Sequence, residues 1–324
     1  MRKDNKTVSV VYMICLKALL NYQKAGRKLL LFLFALLCLL LPSGCAGTRS
    51  TASNNERELN KNPGGGRSSN PLRASHVVFI GLDGWGGAYV PKAEMPTVKR
   101  MMARGASSLD VRCIMPSNSW PNWTTLFNGT PPDSRETEDF PAIFTLVKNR
   151  WGRDASVLFH EWSELQKICP DEIAEKIRIV SDPESAGKIA SYIRERKPVF
   201  TAVSFNGPDG AGHNKRWGSR AYYDKLAEMD TLISIIERAV IDAGIYDETV
   251  FVLSADHGGV LWGHGFNSSR QRKIPLVIYG KAIKEGYEIS PRQSISCIAP
   301  TMAVILGLEL PPEWKGQPLM EVFK

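Results

Sequence analysis

Three aspartates and three histidines fall in three short runs of this chain. They are Asp83 in FIGLDGWG, Asp209 and His213 in NGPDGAGH, and Asp256, His257 and His264 in SADHGGVLWGHG. Carboxylate oxygen mixed with imidazole nitrogen suits hard and borderline divalent cations. Six such donors divide naturally into two sets of three, one set per ion. The chain has five histidines, and three of them lie in these runs. That concentration points to a two-metal hydrolase. His76 and His160 have no acidic partner at ligand spacing and are read as ordinary residues.

Each run also has a plainer reading. Asp83-Gly84 is a common turn pair after a strand. Asp209 and His213 stand four apart with glycines between them, so a loop there could fold both side chains onto one ion or simply be a glycine-rich surface loop. Asp256-His257-Gly258 after an apolar strand is poor material for a core. Gly263 and Gly265 leave room for close approach at His264. Together the runs carry the metal reading; singly none does.

A hydroxyl nucleophile is offered by PSNSWPNWTTLFNG, residues 116–129. Ser119 reads as a helix N-cap, Pro121 is tolerated in the first turn, and Gly129 can end the helix. Free backbone N–H groups at a helix N-terminus favour bound phosphate. Ser117, Thr124 and Thr125 compete as hydroxyls, but the threonines fall inside the helix.

The elements that must position these residues follow from periodicity. Apolar, β-branched runs predict strands at 76–81, 156–159, 199–204, 249–254 and 274–279. Helical spacing predicts helices at 95–104, 186–196, 220–243 and 298–306. Strands alternating with helices imply a single α/β domain over 76–324, with a central, mainly parallel sheet sandwiched between helices. Ligands of such sheets collect beyond the carboxyl ends of strands. Asp83, Asp209 and Asp256 each follow a predicted strand closely.

The ordered set Asp83, Ser-Trp-Pro-Asn, Pro-Asp-Gly-Ala-Gly-His, Ser-Ala-Asp-His-Gly and His-Gly resembles the alkaline phosphatase superfamily. Within it, the set is most similar to the type I phosphodiesterase/nucleotide pyrophosphatase branch, over residues 76–320. The resemblance implies an alkaline phosphatase-like fold and Ser119 as nucleophile. It implies one zinc on Asp209, His213 and His264, and a second on Asp83, Asp256, His257 and the Ser119 oxygen. It also implies Asn122 as donor to a phosphoryl oxygen. Departures are Ser where the family more often has Thr, Trp123 where it has His, and only six residues between His257 and His264, which marks a compact member. Sulfatases of the superfamily need Arg four after the nucleophile, where this chain has Trp123.

The expected chemistry is phosphoester hydrolysis through a phosphoseryl intermediate, with two Zn2+ favoured over magnesium by the three imidazoles. No arginine-rich clamp for a monoester's extra charge is evident, which favours diesters, with a nucleotide or nucleotide-sugar as candidate substrate. Trp85, Trp120, Trp123 and Phe205 lie beside the site residues and could hold a diester's second substituent, although aromatics beside a site more often pack its walls. The alternatives are a phosphomonoesterase or a phospho-head-group transferase of the same superfamily, and, in another class, a non-catalytic lipoprotein that binds a phosphate ligand. Such transferases typically carry several membrane spans, and a binder needs no nucleophile.

The formal charge of +8 is concentrated in residues 1–44, which hold seven basic side chains and one acid; the remainder carries +2. No nucleic-acid polymer is therefore expected as partner. Lys24, Arg27 and Lys28 precede the apolar run Leu29–Leu41, then Pro-Ser-Gly-Cys45. This reads as an export signal over 1–44, with Met13 as an alternative start. Ser-Gly-Cys45 resembles the lipobox of bacterial lipoproteins, with Pro42 where a leucine is usual. That implies lipid attachment at Cys45 and a periplasmic or surface location. Residues 45–75, rich in Gly, Ser and Asn, read as a flexible tether. Cys113, Cys169 and Cys297 are too irregular for a disulfide scaffold.

Overall fold

The computed structural model describes residues 73–132, 141–169 and 174–324. The signal and nearly all of the tether lie outside these residues. In chain order the elements are β1 (His76–Leu82), α1 (Pro96–Ala103), β2 (Ala106–Arg112), α2 (Ser119–Asn128), α3 (Ile143–Trp151), β3 (Ser156–His160), β4 (Glu175–Arg178) and α4 (Pro183–Arg196). They continue with β5 (Phe200–Phe205), α5 (Gly207–Lys215), α6 (Arg220–Asp242), β6 (Thr249–Ser254), β7 (Lys273–Gly280), β8 (Tyr287–Glu288) and α7 (Ile298–Leu306).

All eight strands form one sheet in the order β4-β3-β5-β1-β6-β7-β2-β8. Only β7 runs against its neighbours, pairing antiparallel with both β6 and β2. The expected mainly parallel sheet with covering helices is the observed one. Strands buried on both faces must be apolar along their whole length. β5 and β6 are buried at every position, and β1 at every position after His76.

Register sets the site. β1 lies between β5 and β6, with Leu82 opposite Phe205 and Gly81 opposite Ser254. The three strands therefore end at one level, and Asp83, the start of α5 and Asp256 leave the sheet side by side. This is where a parallel sheet offers a ligand crevice.

Helix ends are held from outside as well as within. α1 has Met95 at its N-cap, without a capping side chain. Asp230 of α6 supplies the cap instead, its carboxylate accepting from Thr97 N–H at 3.0 Å and Val98 N–H at 2.9 Å. That contact stitches two helices on one face of the sheet and satisfies donors that a helix start leaves open.

Candidate active site and metal centre

The three ligand runs converge. His213 Nε2 is 3.5 Å from Asp209 Oδ1, and His264 Nε2 is 3.7 Å from the same oxygen and 3.1 Å from His213 Nε2. A second set sits deeper, with His257 Nε2 3.6 Å from Asp83 Oδ1 and 3.2 Å from Asp256 Oδ2. The rings of His257 and His264 stack at 3.8 Å between centroids and join the two sets. Asp209/His213/His264 and Asp83/Asp209/His257 each bring their donor atoms within 4.8 Å of one another.

The donor atoms are orientated as ligands. Each of the three imidazoles places Nδ1 against a backbone carbonyl: His213 on Trp262, His257 on Gly258 and His264 on Ser117, all at 2.9 Å. A carbonyl only accepts, so Nδ1 carries the proton and Nε2 presents its lone pair to the centre. Asp83 Oδ1, Asp209 Oδ1 and Asp256 Oδ2 are buried without any hydrogen-bond partner. Buried carboxylate oxygens are almost always satisfied. Three left open at one place fit a divalent cation.

Electrostatics agrees. Burial, followed by the neighbouring Asp256 and Asp209 charges, pushes Asp83 well above the usual carboxylate range. Burial also raises Asp209, and raises Asp256 to about 6. Burial lowers His257 to about 4 and lowers His264 too, with the His257 charge adding to the latter. Burial thus favours the neutral form of His257 and His264 and opposes ionisation of the three carboxylates.

The first set is the expected one, and the second brings Asp83 and His257 together with Asp209 also within reach. Asp209 belongs to both geometric sets, whereas Asp256 stands beside the second. One Asp256 oxygen, Oδ1, accepts from Gly84 N–H at 3.1 Å, leaving Oδ2 toward His257. Gly84 makes that turn at φ +70°, and a Cβ there would lie 2.9 Å from the Asp209 Cα. Only glycine lets the first and second ligand runs approach so closely.

Asp209 and His213 are also presented differently from expectation. The run is a helix, α5, and not a loop. Pro208 opens it, a position where proline costs nothing. Asp209 and His213 then share a face one turn apart. A Cβ on Gly212 would come within 2.3 Å of the Trp217 ring, so the glycine serves ring packing.

Ser119 lies in the first turn of α2, with Asn118 as N-cap in place of Ser119 itself. Its Oγ is 3.1 Å from His257 Nε2. The competing hydroxyls are occupied. Ser117 donates to the Phe266 carbonyl and accepts from Gly265 N–H, both at 3.0 Å. Thr124 and Thr125 donate back to the Trp120 and Pro121 carbonyls.

Asn122 is not placed as a donor to substrate. It is fully buried, and its amide nitrogen donates to the Pro116 and Asn118 carbonyls at 3.1 and 2.9 Å. Its oxygen accepts from Ile114 N–H at 2.7 Å. An amide so used has no proton to offer a phosphoryl oxygen. Asn122 clamps the 114–118 loop that leads into Ser119.

The aromatic expectation is corrected as well. Trp85, Trp123 and Phe205 have no exposed surface and cannot take a substituent. Trp123 instead donates its indole N–H to Asp83 Oδ2 at 3.2 Å, which aims Oδ1 at the centre. Trp123→Phe is expected to weaken metal retention by roughly 10–100-fold, as for other outer partners of ligands; competition with a chelating dye reads it. The exposed aromatics of this region are Trp120, Trp262 and Phe266. The last two were missed because single apolar residues in a glycine-rich run carry no periodic signal.

A sheet opening at β1, β5 and β6 onto paired Asp/His sets and a helix-borne serine is the arrangement of a hydrolase-like enzyme with candidate metal-ligand groups. The chain belongs to the type I phosphodiesterase/nucleotide pyrophosphatase family, whose model matches residues 77–136 and 142–262. Its fold is alkaline phosphatase-like. Murine ectonucleotide pyrophosphatase/phosphodiesterase 5, in an inactive form in complex with AMP, superposes with a TM-score of 0.65 at 11% identity, over 77% of this chain and 100% of that one. Phosphonate monoester hydrolase from Silicibacter pomeroyi does so at 0.58 and 14%, over 76% of each chain. Likeness at such identities shows the fold.

Among curated sequences, arylsulfatase K of Xenopus laevis is 35% identical over 104 residues, 31% of this chain and 19% of that protein. Phosphopentomutase of Alkaliphilus metalliredigens (strain QYMF) is 29% identical over 138 residues, 42% of this chain and 33% of that protein. These matches span a third or less of the relatives' length.

Proposed function

We propose that this protein hydrolyses phosphodiesters through a phosphoseryl intermediate on Ser119, with two zinc ions held by Asp83, Asp209, His213, Asp256, His257 and His264. The observation that carries this reading is the Ser119 hydroxyl 3.1 Å from His257 Nε2, a member of the cluster of three imidazoles and three unsatisfied carboxylate oxygens. Bound there, divalent cations would lower the pKa of the serine hydroxyl and offset charge on the attacking and leaving oxygens.

The residues of the chain do the rest. Ser119 Oγ, having given up its proton, bonds to phosphorus as the bond to the leaving alcohol breaks and that oxygen takes a proton. Water then splits the Ser119–phosphorus bond, releasing a monoester and restoring the hydroxyl. The first turn of α2 supplies open N–H groups and the positive end of the helix dipole to the phosphoryl oxygens. Asn122 fixes the approach of the loop to that turn.

Diesters are favoured because none of the described hydrogen bonds or ion pairs of Ser119 and the six ligands involves lysine or arginine. A monoester's second charge therefore has no lysine or arginine described in contact with the ligands or Ser119 to pair with. Trp120, 38% exposed and edge-on to Trp162 at 6.4 Å, follows the nucleophile directly. It offers a ledge for a nucleoside or aryl substituent. A nitrophenyl nucleotide is expected to turn over about tenfold faster than nitrophenyl phosphate, a difference of about 1.4 kcal/mol in barrier. A monoester preference would end the diesterase reading and leave the two-metal site standing. Metal and phosphate binding with no turnover of either ester would favour the non-catalytic alternative.

We also propose export and lipid attachment at Cys45, from the basic, apolar and Ser-Gly-Cys order of the leader. Mass spectrometry of the mature N-terminus decides it: an unmodified peptide running through residues 40–50 excludes cleavage at that cysteine.

A further inference from the structure

The rim of the site carries an exposed apolar tip that the reaction does not use. Val260 and Gly263 bridge each other through N–H···O contacts of 3.0 and 3.2 Å, so Leu261 and Trp262 form a two-residue turn between them. Leu261 sits at φ +55°, where such a turn ordinarily takes glycine or asparagine. Leu261, Trp262 and Phe266 are 55%, 59% and 74% exposed. Single exposed apolar residues are ordinary, but three within six positions, two at the tip of a strained turn, mark a contact surface.

The surface lies at the mouth of the site. The Trp262 carbonyl accepts from His213 at 2.9 Å, and the Leu261 carbonyl from Trp217 N–H at 2.8 Å. Residues 213–220 and 258–272, brought together by these contacts, contain Lys215, Arg216, Arg220, Arg270 and Arg272 and no Asp or Glu. The first four are exposed. Arg220 has Asp224 near it, at a loose 3.9 Å.

We propose that the Leu261–Phe266 loop docks the catalytic face on an anionic lipid surface. Leu261, Trp262 and Phe266 enter the headgroup region, and the flanking basic side chains meet acidic headgroups. Aromatic tips with a basic surround suit that boundary, where tryptophan is enriched and cations are attracted by anionic lipid. A protein partner of ordinary charge balance would not call for exposed Lys215, Arg216 and Arg270 flanking an apolar tip with no acid in either run.

The chain outside the described residues is consistent with that occupant. Its apolar run and Cys45 are read as a membrane attachment, and 28 residues separate Cys45 from Arg73 inclusive of the cysteine. A linker of that many residues would reach about 95 Å at most if fully extended. The seven residues of β1 carry the chain about 23 Å from the tether to the site face. The tether is long enough for that face to turn to the surface holding the anchor, and the loop selects the orientation. Docking rests on this attachment reading for its geometry, and it is independent of which ester Ser119 attacks.

The test uses the full chain in vesicles containing brominated lipid, reading tryptophan quenching. In phosphatidylglycerol-rich vesicles, wild type is expected to be quenched, and Trp262→Phe to lose most of that quenching. Pure phosphatidylcholine vesicles, high salt, or the double variant Lys215→Glu/Arg216→Glu should remove it while the protein stays vesicle-bound and keeps its turnover of a soluble nitrophenyl diester. Equal quenching on both lipids, or quenching unchanged by Trp262→Phe, overturns the proposal. So does a concentration-dependent dimer in detergent that shields Trp262, since the loop is then an interface between copies. Quenching in a protein that cleaves no diester would sustain docking and sink the reaction reading, so the two failures are separable.

Discussion

Ser119→Ala is expected to lower turnover by roughly four orders of magnitude or more while leaving the fold and metal content essentially unchanged. The size follows from the role: removing a nucleophile leaves only the background that binding and electrostatics provide. Retention of structure follows from position. Ser119 is in the first turn of α2, the N-cap is Asn118, and the loop before it is pinned by Asn122 and Ser117, so the hydroxyl is not needed to start the helix. Its one described side-chain contact is His257 Nε2. Ser119→Thr should keep appreciable activity, because its Oγ can occupy the same place. Intact mass of enzyme quenched during turnover should show the phosphoryl ester on wild type and nothing on the alanine variant. Near-normal turnover by Ser119→Ala would refute the covalent route. Turnover measured beside metal analysis separates loss of the nucleophile from loss of the ions.

Much of this arrangement is legible in the sequence, and the parts that are not share physical causes. β1, β5 and β6 read clearly because fully buried parallel strands must be continuous apolar runs. The ligand positions read clearly because each follows such a run. β2 carries no clear signal: in ASSLDVR near the sheet margin Ser107, Leu109 and Asp110 are only partly buried and the apolar signal fades. α5 reads as a loop in the sequence because Gly207, Pro208, Gly210 and Gly212 all disfavour helix. Packing overrides them, as Trp217 needs the bare face of Gly212. Of the two readings open for Trp85, Trp123 and Phe205, the structure bears out packing and not contact with a substituent. Neighbourhood in sequence locates a residue near a strand end, but the side chain can turn into the core, and these three do. For Asn122, the run Ser-Trp-Pro-Asn pointed to chemistry, while the spacing of one helical turn from Asn118 returned its amide to the backbone.

Asp209→Asn is expected to abolish retention of both ions and, in the same protein, to raise the stability of the metal-free form. The first effect follows because Asp209 contributes a donor to each geometric set, whereas His213 belongs to one. His213→Ala should therefore lose one ion, and Asp256→Ala likewise one, since the latter stands only beside the deeper set. The second effect follows from charge. Asp83, Asp209 and Asp256 converge with buried, unpartnered oxygens, and burial and mutual repulsion raise the pKa of Asp83. Without cations that convergence opposes folding, and neutralising one member relieves it; with cations the same convergence is the binding site. Wild type should gain about 4 kcal/mol from metal at a thousand times its Kd. That corresponds to a rise in Tm on the order of 10 °C for a domain of this size. In Asp209→Asn the metal-free Tm should exceed that of metal-free wild type, and added zinc should move it little. Thermal melts with and without a chelator, paired with metal analysis after dialysis, read both signs at once. A variant that still holds two ions, or whose metal-free form melts well below wild type, would remove Asp209 from the centre. Zero metal in fully active wild type would remove the centre itself.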